Sequence, residues 1–153
     1  MLTVWRIVKT KYASSAFDGL GAKRNGGRWT SSGRRAVYTS STAALATLEV
    51  LAHIDSTALL LSYSLIQATV PEQLVTSVAL ATLPEDWKNF PAPPRLQAIG
   101  DAWLRDRTSA VLRVPSALVP VDFNYLLNPE HPDFPLITPG QPVPFPLDPR
   151  LLW

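Results

Sequence analysis

The chain has no cysteine. That excludes a disulfide framework, a thiolate metal site and a thiol nucleophile. Histidine is almost as scarce, with only His53 and His131. H-E-x-x-H is absent and His131 sits far away in a proline-rich segment, so no metal site is expected. G-x-S-x-G is missing too, which leaves a serine hydrolase unsupported. No apolar run approaches the ~20 residues needed to cross a bilayer, and Met1 to Arg6 shows no basic stretch leading into an apolar one. The expectation is a cytoplasmic protein with no membrane association. Heptads and internal repeats are also absent.

What is present suits one soluble domain. A chain of 153 residues, 46% of them hydrophobic, can bury roughly two thirds of its unfolded surface around one core. The domain is expected to span residues 1–153. Charge is uneven along it: residues 1–54 carry eight Lys/Arg against Asp18 and Glu49, while residues 55–153 carry six against ten acids. A basic first third attracts phosphate-bearing ligands or an acidic protein, or is simply a solvated face. The small net charge of +2 argues against a general polyanion binder.

All fifteen prolines lie at or after Pro71, and five of the seven glycines lie between Gly19 and Gly33. Before Pro71 the chain reads as a strand over Leu2–Val8, a Gly/Asn/Ser loop over Asp18–Gly33 and a short strand over Ala36–Thr39. A helix follows, with Ser40, Ser41 or Thr42 as N-cap and Ala44, Leu45, Leu48, Leu51 and Ala52 on one buried face. Leu59–Val70 reads as a longer strand. Beyond it, Pro93-Pro94 leads into a helix over Arg95–Thr108 with Leu96, Ile99, Trp103 and Leu104 inward. Ala110–Val114 reads as a buried strand. Pro129–Trp153, with eight prolines, should wrap the domain as extended chain, pinned by Phe134, Phe145 and Trp153.

The glycine-rich loop Gly19 to Gly27 fits neither G-x-x-x-x-G-K-[ST] nor G-x-G-x-x-G at a strand–helix junction. It remains a loop whose amides, with Lys23, Arg24 and Arg28, suit a pyrophosphate. Glu49 is the sole acid in residues 19–54 and borders the apolar stripe of its helix beside Thr42, Ala46 and His53. Pairing of Glu49 with His53 at i,i+4 is the structural alternative to a role in a site. For Tyr38 and Ser116 the structural alternatives are packing and turn capping.

Several pieces in order resemble RES-domain proteins. They are Trp5-Arg6, the D-G-L-G-A loop, Gly26-Gly27-Arg28-Trp29, Ala36-Val37-Tyr38, Leu48 to His53, Gly100 to Leu104, Val114 to Ala117 and Asn124 to Pro129. The resemblance runs to about Asp133. Leu20 stands where many relatives have an acid, and Thr30 where Asn is common. Such proteins are toxins of bacterial RES-Xre toxin–antitoxin modules, with an α+β fold of short mixed strands and flanking helices that resembles the ADP-ribosyltransferase catalytic domain. The resemblance implies NAD as substrate rather than cofactor, cleaved at the nicotinamide–ribose bond with water or phosphate as acceptor. It implies Glu49, Arg28, Tyr38 and Ser116 as catalytic residues and Arg6, Arg28 and Tyr38 as NAD-binding residues, to which the expected site adds Lys23 from the loop and Asn124. It also implies an Xre-like helix-turn-helix antitoxin that carries the DNA contact, and possible self-association. A protein ADP-ribosyltransferase on the same pocket, a nucleic-acid-binding or RNA-cleaving toxin using Trp5, Trp29 and Tyr38 as stacking faces, and a silent interaction module are the competing expectations.

Overall fold

A computed structural model describes residues 1–55, 57–58 and 61–151. The start of the expected strand at Leu59 and Leu60, and the anchor Trp153, lie outside the described residues. The architecture is α+β, as the sequence indicates. Among the described residues eight strands form one sheet: β1 (Leu2–Lys9), β2 (Val37–Ser40), β3 (Tyr63–Val70), β4 (Val75–Ser77), β5 (Val111–Pro115), β6 (Phe123–Leu127), β7 (Thr138–Pro139) and β8 (Val143–Pro144). The order is β4-β5-β6-β2-β1-β3-β7, with β8 also on β3. Among the described residues only β4 and β5 pair in parallel; the other ladders are antiparallel.

Strand periodicity sorts two cores onto opposite faces. Val111 on β5, Tyr125 and Leu127 on β6, and Val37 on β2 face one cluster with Val4, Ala68 and Val70. Leu112, Val114 and Leu126 turn the other way, onto Trp29, Ala36 and the helix α3 (Pro94–Asp106) through its Leu96, Trp103 and Leu104. Pro94 opens α3 at a position where a missing N–H costs nothing. The helix ends at Arg107, in the left-handed region at φ 50. Asn124 shares the face of Leu126, and Tyr38 that of Ala36, so polar groups from central strands emerge beside the α3 core.

Three expectations change. The Asp18–Gly33 segment is not all loop: Leu20–Asn25 forms a helix, α1, between Gly19 at φ 75 and Gly26 at φ 69. Asp18 Oδ1 accepts from the Leu20 amide at 2.9 Å, and the Gly26 amide closes the last turn on the Ala22 carbonyl at 2.7 Å. The glycines supply the two left-handed ends rather than a flexible span. The second helix, α2 (Ala43–Leu51), is capped by Thr42, whose Oγ1 accepts from the Leu45 amide at 3.0 Å. Its buried residues are Leu45 and Ala46 rather than the whole expected stripe; Ala44, Leu48 and Ala52 are exposed. The shorter inner stripe turns Glu49 and Val50 toward a cleft. Finally, β4 and β6 were not read from the sequence at all.

The C-terminal segment runs along the outer edge of β3. Thr138 and Pro139 pair with Thr69 and Ala68, and Val143 and Pro144 with Leu65 and Ser64. Between and beyond them the amides of Gly140 and Phe145 donate to the Gln67 and Tyr63 carbonyls.

Candidate active site

A cleft of about 880 Å³ opens where β1, β2, β6, α1, α2 and the approach to α3 meet. Glu49 is the only carboxylate among its described lining residues, which also include the cations Arg6, Arg28 and Lys88. The helix α2 brings Glu49 to the wall. Two side chains from distant strands hold it there: Ser116, just past β5, donates from Oγ to Glu49 Oε1 at 2.8 Å, and Asn124 on β6 donates from Nδ2 to the same oxygen at 2.8 Å.

Each holder is itself oriented. Ser116 is fully buried, and its Oγ accepts from the Leu118 and Val119 amides at 3.2 and 3.1 Å, so its proton is left for Glu49. The Asn124 amide is fixed by Ser40, whose Oγ donates to Oδ1 at 2.7 Å. The described hydrogen bonds to the carboxylate all land on Oε1, and Oε2 remains for a ligand. No bond or ion pair joins Glu49 to His53, which is exposed and also lines the cleft.

The arginines behave differently from a simple phosphate fork. Arg6 donates from Nε to the Ala16 carbonyl at 2.8 Å and from one terminal nitrogen to the Tyr38 carbonyl at 2.9 Å. It stitches β1 to β2 and to the turn before α1, and only its other terminal nitrogen is left for the cleft. Burial pushes its pKa down to about 10, against the opposing pull of Asp18. Arg28 spends Nη1 on two main-chain oxygens, of Trp87 at 3.0 Å and Asn89 at 2.9 Å. Its Nε/Nη2 edge has no partner among the described residues and suits a two-point contact with phosphate or ribose. Partial burial lowers the pKa of this group too, and the charges of Glu49 and Tyr38 oppose that shift.

Tyr38 lines the cleft with its ring and braces the loop with its hydroxyl. The oxygen accepts from the Trp29 amide at 3.1 Å and pairs with Thr30 Oγ1 at 2.9 Å. Burial raises the phenol above its ordinary value of 10.0, against the lowering by the Thr30 and Trp29 hydrogen bonds. A hydroxyl so engaged supports the Arg28 loop, leaving the ring for a ligand. The unusual Thr30 is thereby accounted for. Gly27 stands so close that a Cβ there would collide with the Tyr38 hydroxyl.

Of the residues singled out from sequence, Arg6, Arg28, Tyr38, Glu49 and Asn124 meet in the cleft. Ser116 meets them from behind, through Glu49. Lys23 does not join them: it is exposed on α1, away from the lining residues, and its carbonyl accepts from the Gly33 amide. Missed from sequence were Ser40, the wall of Lys88, Phe90, Pro91 and Ala92, and Gln97, whose Nε2 donates to the Gly27 carbonyl at 3.0 Å. Gln97 lies three residues before Gly100 on α3, and that spacing could have shown it facing the glycine loop. The Gly100-Asp101 pair has a physical use as well. A Cβ at Gly100 would collide with the Trp29 carbonyl, and Asp101 Oδ1 accepts from the Ser31 amide at 2.9 Å.

An α+β domain with a cation-lined cleft and one strapped carboxylate defines the class of fold and site. Residues 3–148 match the RES domain, and the chain belongs to the RES-domain family. It is 38% identical over 151 residues to Toxin Res of Yersinia enterocolitica, covering 98% of this chain and 99% of that one. It is 41% identical over 134 residues to Toxin Res of Photorhabdus laumondii, covering 87% and 85%. It is 37% identical over 153 residues to the Prs ADP-ribosylating toxin of a Sphingobium species, covering 97% and 95%. Among solved structures, a chain of the M. tuberculosis MbcT-MbcA toxin–antitoxin complex superposes with a TM-score of 0.77 at 21% identity, covering 98% of this chain and 86% of that one. At that identity the likeness is one of fold.

Proposed function

We propose that the chain is the toxin of a toxin–antitoxin module and cleaves NAD at the nicotinamide–ribose bond. The observation that carries this reading is the single cleft carboxylate, Glu49, fixed through one oxygen by Ser116 and Asn124. Ordinary glycoside hydrolysis needs two carboxyl groups, one of them to protonate the leaving oxygen. Nicotinamide is bound to ribose as a cationic pyridinium and leaves as a neutral ring, taking the bonding electron pair, so no acid is required. What remains is an oxocarbenium-like ribose that one carboxylate stabilises. Glu49 Oε2 does this, or accepts a ribose hydroxyl, while Oε1 stays pinned.

The other groups orient the substrate. The Nε/Nη2 edge of Arg28 takes the pyrophosphate, Arg6 adds charge from below, and the Tyr38 ring packs against the nicotinamide end. Water attacking the ribose gives ADP-ribose, nicotinamide and a proton; phosphate gives ADP-ribose phosphate and nicotinamide. The relatives named as toxins support the biological role. The role implies an antitoxin partner, for which an Xre-like helix-turn-helix protein is the proposed identity, with DNA contact made by that partner.

The test is nicotinamide release from NAD by the purified chain. Glu49→Gln keeps the size and the hydrogen-bonded oxygen but loses the charge, and should lower release by at least about 100-fold with the fold intact. Undiminished turnover would remove Glu49 from the chemistry. A second reading, transfer of ADP-ribose to a protein side chain, is favoured by the 37% identity to a toxin named as ADP-ribosylating. Labelling of a protein by tagged NAD distinguishes it from hydrolysis. RNA cleavage with NAD left intact would overturn both readings, and it gains little from a site in which His53 and Glu49 are not paired.

A further inference from the structure

The wall from Pro84 to Ala92 has no part in the chemistry above, yet it is carefully built. Its turns close through the Trp87 amide on the Pro84 carbonyl and the Asn89 amide on the Asp86 carbonyl. Trp87 packs on the core beneath α3. Arg28 Nη1 bridges the carbonyls of Trp87 and Asn89, gripping the backbone on both sides of Lys88. This scaffold presents Lys88, Phe90, Pro91 and Ala92 to the cleft. Phe90 is 81% exposed. Scattered exposed apolar residues are ordinary, but this ring lies on a cleft wall held by an arginine of the site itself.

Its tie to Arg28 gives the wall a meaning. Arg28 lines the same cleft as Glu49 and holds the Trp87–Asn89 backbone through Nη1. Glu49 is held from β5 and β6 and shares no described hydrogen bond with this wall, so the guanidinium is the group that joins the wall to the site. A dinucleotide cleaved at Glu49 carries pyrophosphate and then adenosine away from the broken bond, and the wall built on the phosphate-binding guanidinium offers an ammonium and an aromatic ring.

We infer that the Pro84–Ala92 wall is the subsite for the adenine half of NAD, with Phe90 as the stacking face for the purine and Lys88 beside the adenylate phosphate. The inference rests on the NAD reading above. It makes Arg28 a double-duty residue, whose Nη1 builds the adenine wall and whose other edge binds the phosphates between the two ends.

A base stacked on an aromatic ring is worth about tenfold or more in affinity. In this subsite Phe90 would contact the end of NAD away from the bond that breaks, so its loss should appear in KM far more than in kcat. In nicotinamide-release kinetics with the full chain, Phe90→Ala should raise KM for NAD about tenfold, and Phe90→Trp should restore it. AMP should inhibit Phe90→Ala about tenfold more weakly than the unsubstituted protein. An unchanged KM, or equal inhibition by AMP, overturns the inference, as does a loss of antitoxin binding with KM unchanged, which would make Phe90 a protein-docking residue. If the unsubstituted protein releases no nicotinamide, the NAD-cleavage reading fails separately. Calorimetric titration with ADP-ribose then reads the subsite directly, and equal binding to both proteins sinks it.

Discussion

Tyr38 shows how one residue ties stability to the site. Its oxygen receives the amide of Trp29, which is almost completely buried, and pairs with Thr30. Tyr38→Phe leaves that amide without a partner and should cost about 1–2 kcal/mol in urea unfolding at neutral pH. The phenol's folded pKa lies above its ordinary value of 10.0. Below pH 10 the hydroxyl is neutral in both states and its stabilisation is complete. Above pH 10 the unfolded chain releases the proton first, so the stabilisation drains away as pH rises through the raised folded value. The stability difference between the two proteins should therefore be flat near neutrality and shrink in alkali. A difference that grows with pH would refute this account. The sequence marked Tyr38, Arg28 and Glu49 as special through order and residue type. It did not disclose that the Tyr38 hydroxyl and half of the Arg28 fork are spent on backbone, because those partners lie on a turn and on a proline-rich loop 59 and 61 residues further along.

At the scale of elements, α3 and the glycine loop act as one piece. Gly100 meets the Trp29 carbonyl, Gln97 holds the Gly27 carbonyl and Asp101 holds Ser31. Gly100→Ala forces helix and loop apart where neither backbone can yield cheaply. It should destabilise by about 3 kcal/mol, read as a lowered urea midpoint, and should weaken the proposed NAD cleavage by displacing Arg28. An unshifted midpoint would show that the two elements move independently. Legibility in the sequence follows the same division. The strands β1, β2 and β5 and the helices α2 and α3 announced themselves by periodicity, caps and proline position. The strand β4 has three residues and exists through its parallel pairing with β5. In β6, Phe-Asn-Tyr-Leu-Leu has no clean alternation, because both of its faces are covered.

For the molecule as a whole, the open edges of the sheet need protection. One edge, β4, is only three residues long, which limits it as a template. The other, β3, has eight residues and is covered by two short strands whose prolines cannot extend the ladder. Ile137 and Leu147 on that segment are buried in two of the clusters. Removing residues 129–153 should expose both the edge and the core, producing association detectable by light scattering and loss of cooperative unfolding. A monodisperse, cooperatively folded truncation would show the covering segment to be dispensable.

The strap on Glu49 also sets a clock during synthesis. The carboxylate leaves the ribosome 67 residues before Ser116 and 75 before Asn124, so for much of its translation the nascent chain carries an acid with nothing to hold it. A premature stop anywhere in that interval yields a fragment without the assembled centre. A stop between Asn124 and the segment that covers β3 leaves the strap residues made but the sheet edge and two core clusters open, so the held carboxylate waits on that covering segment as well.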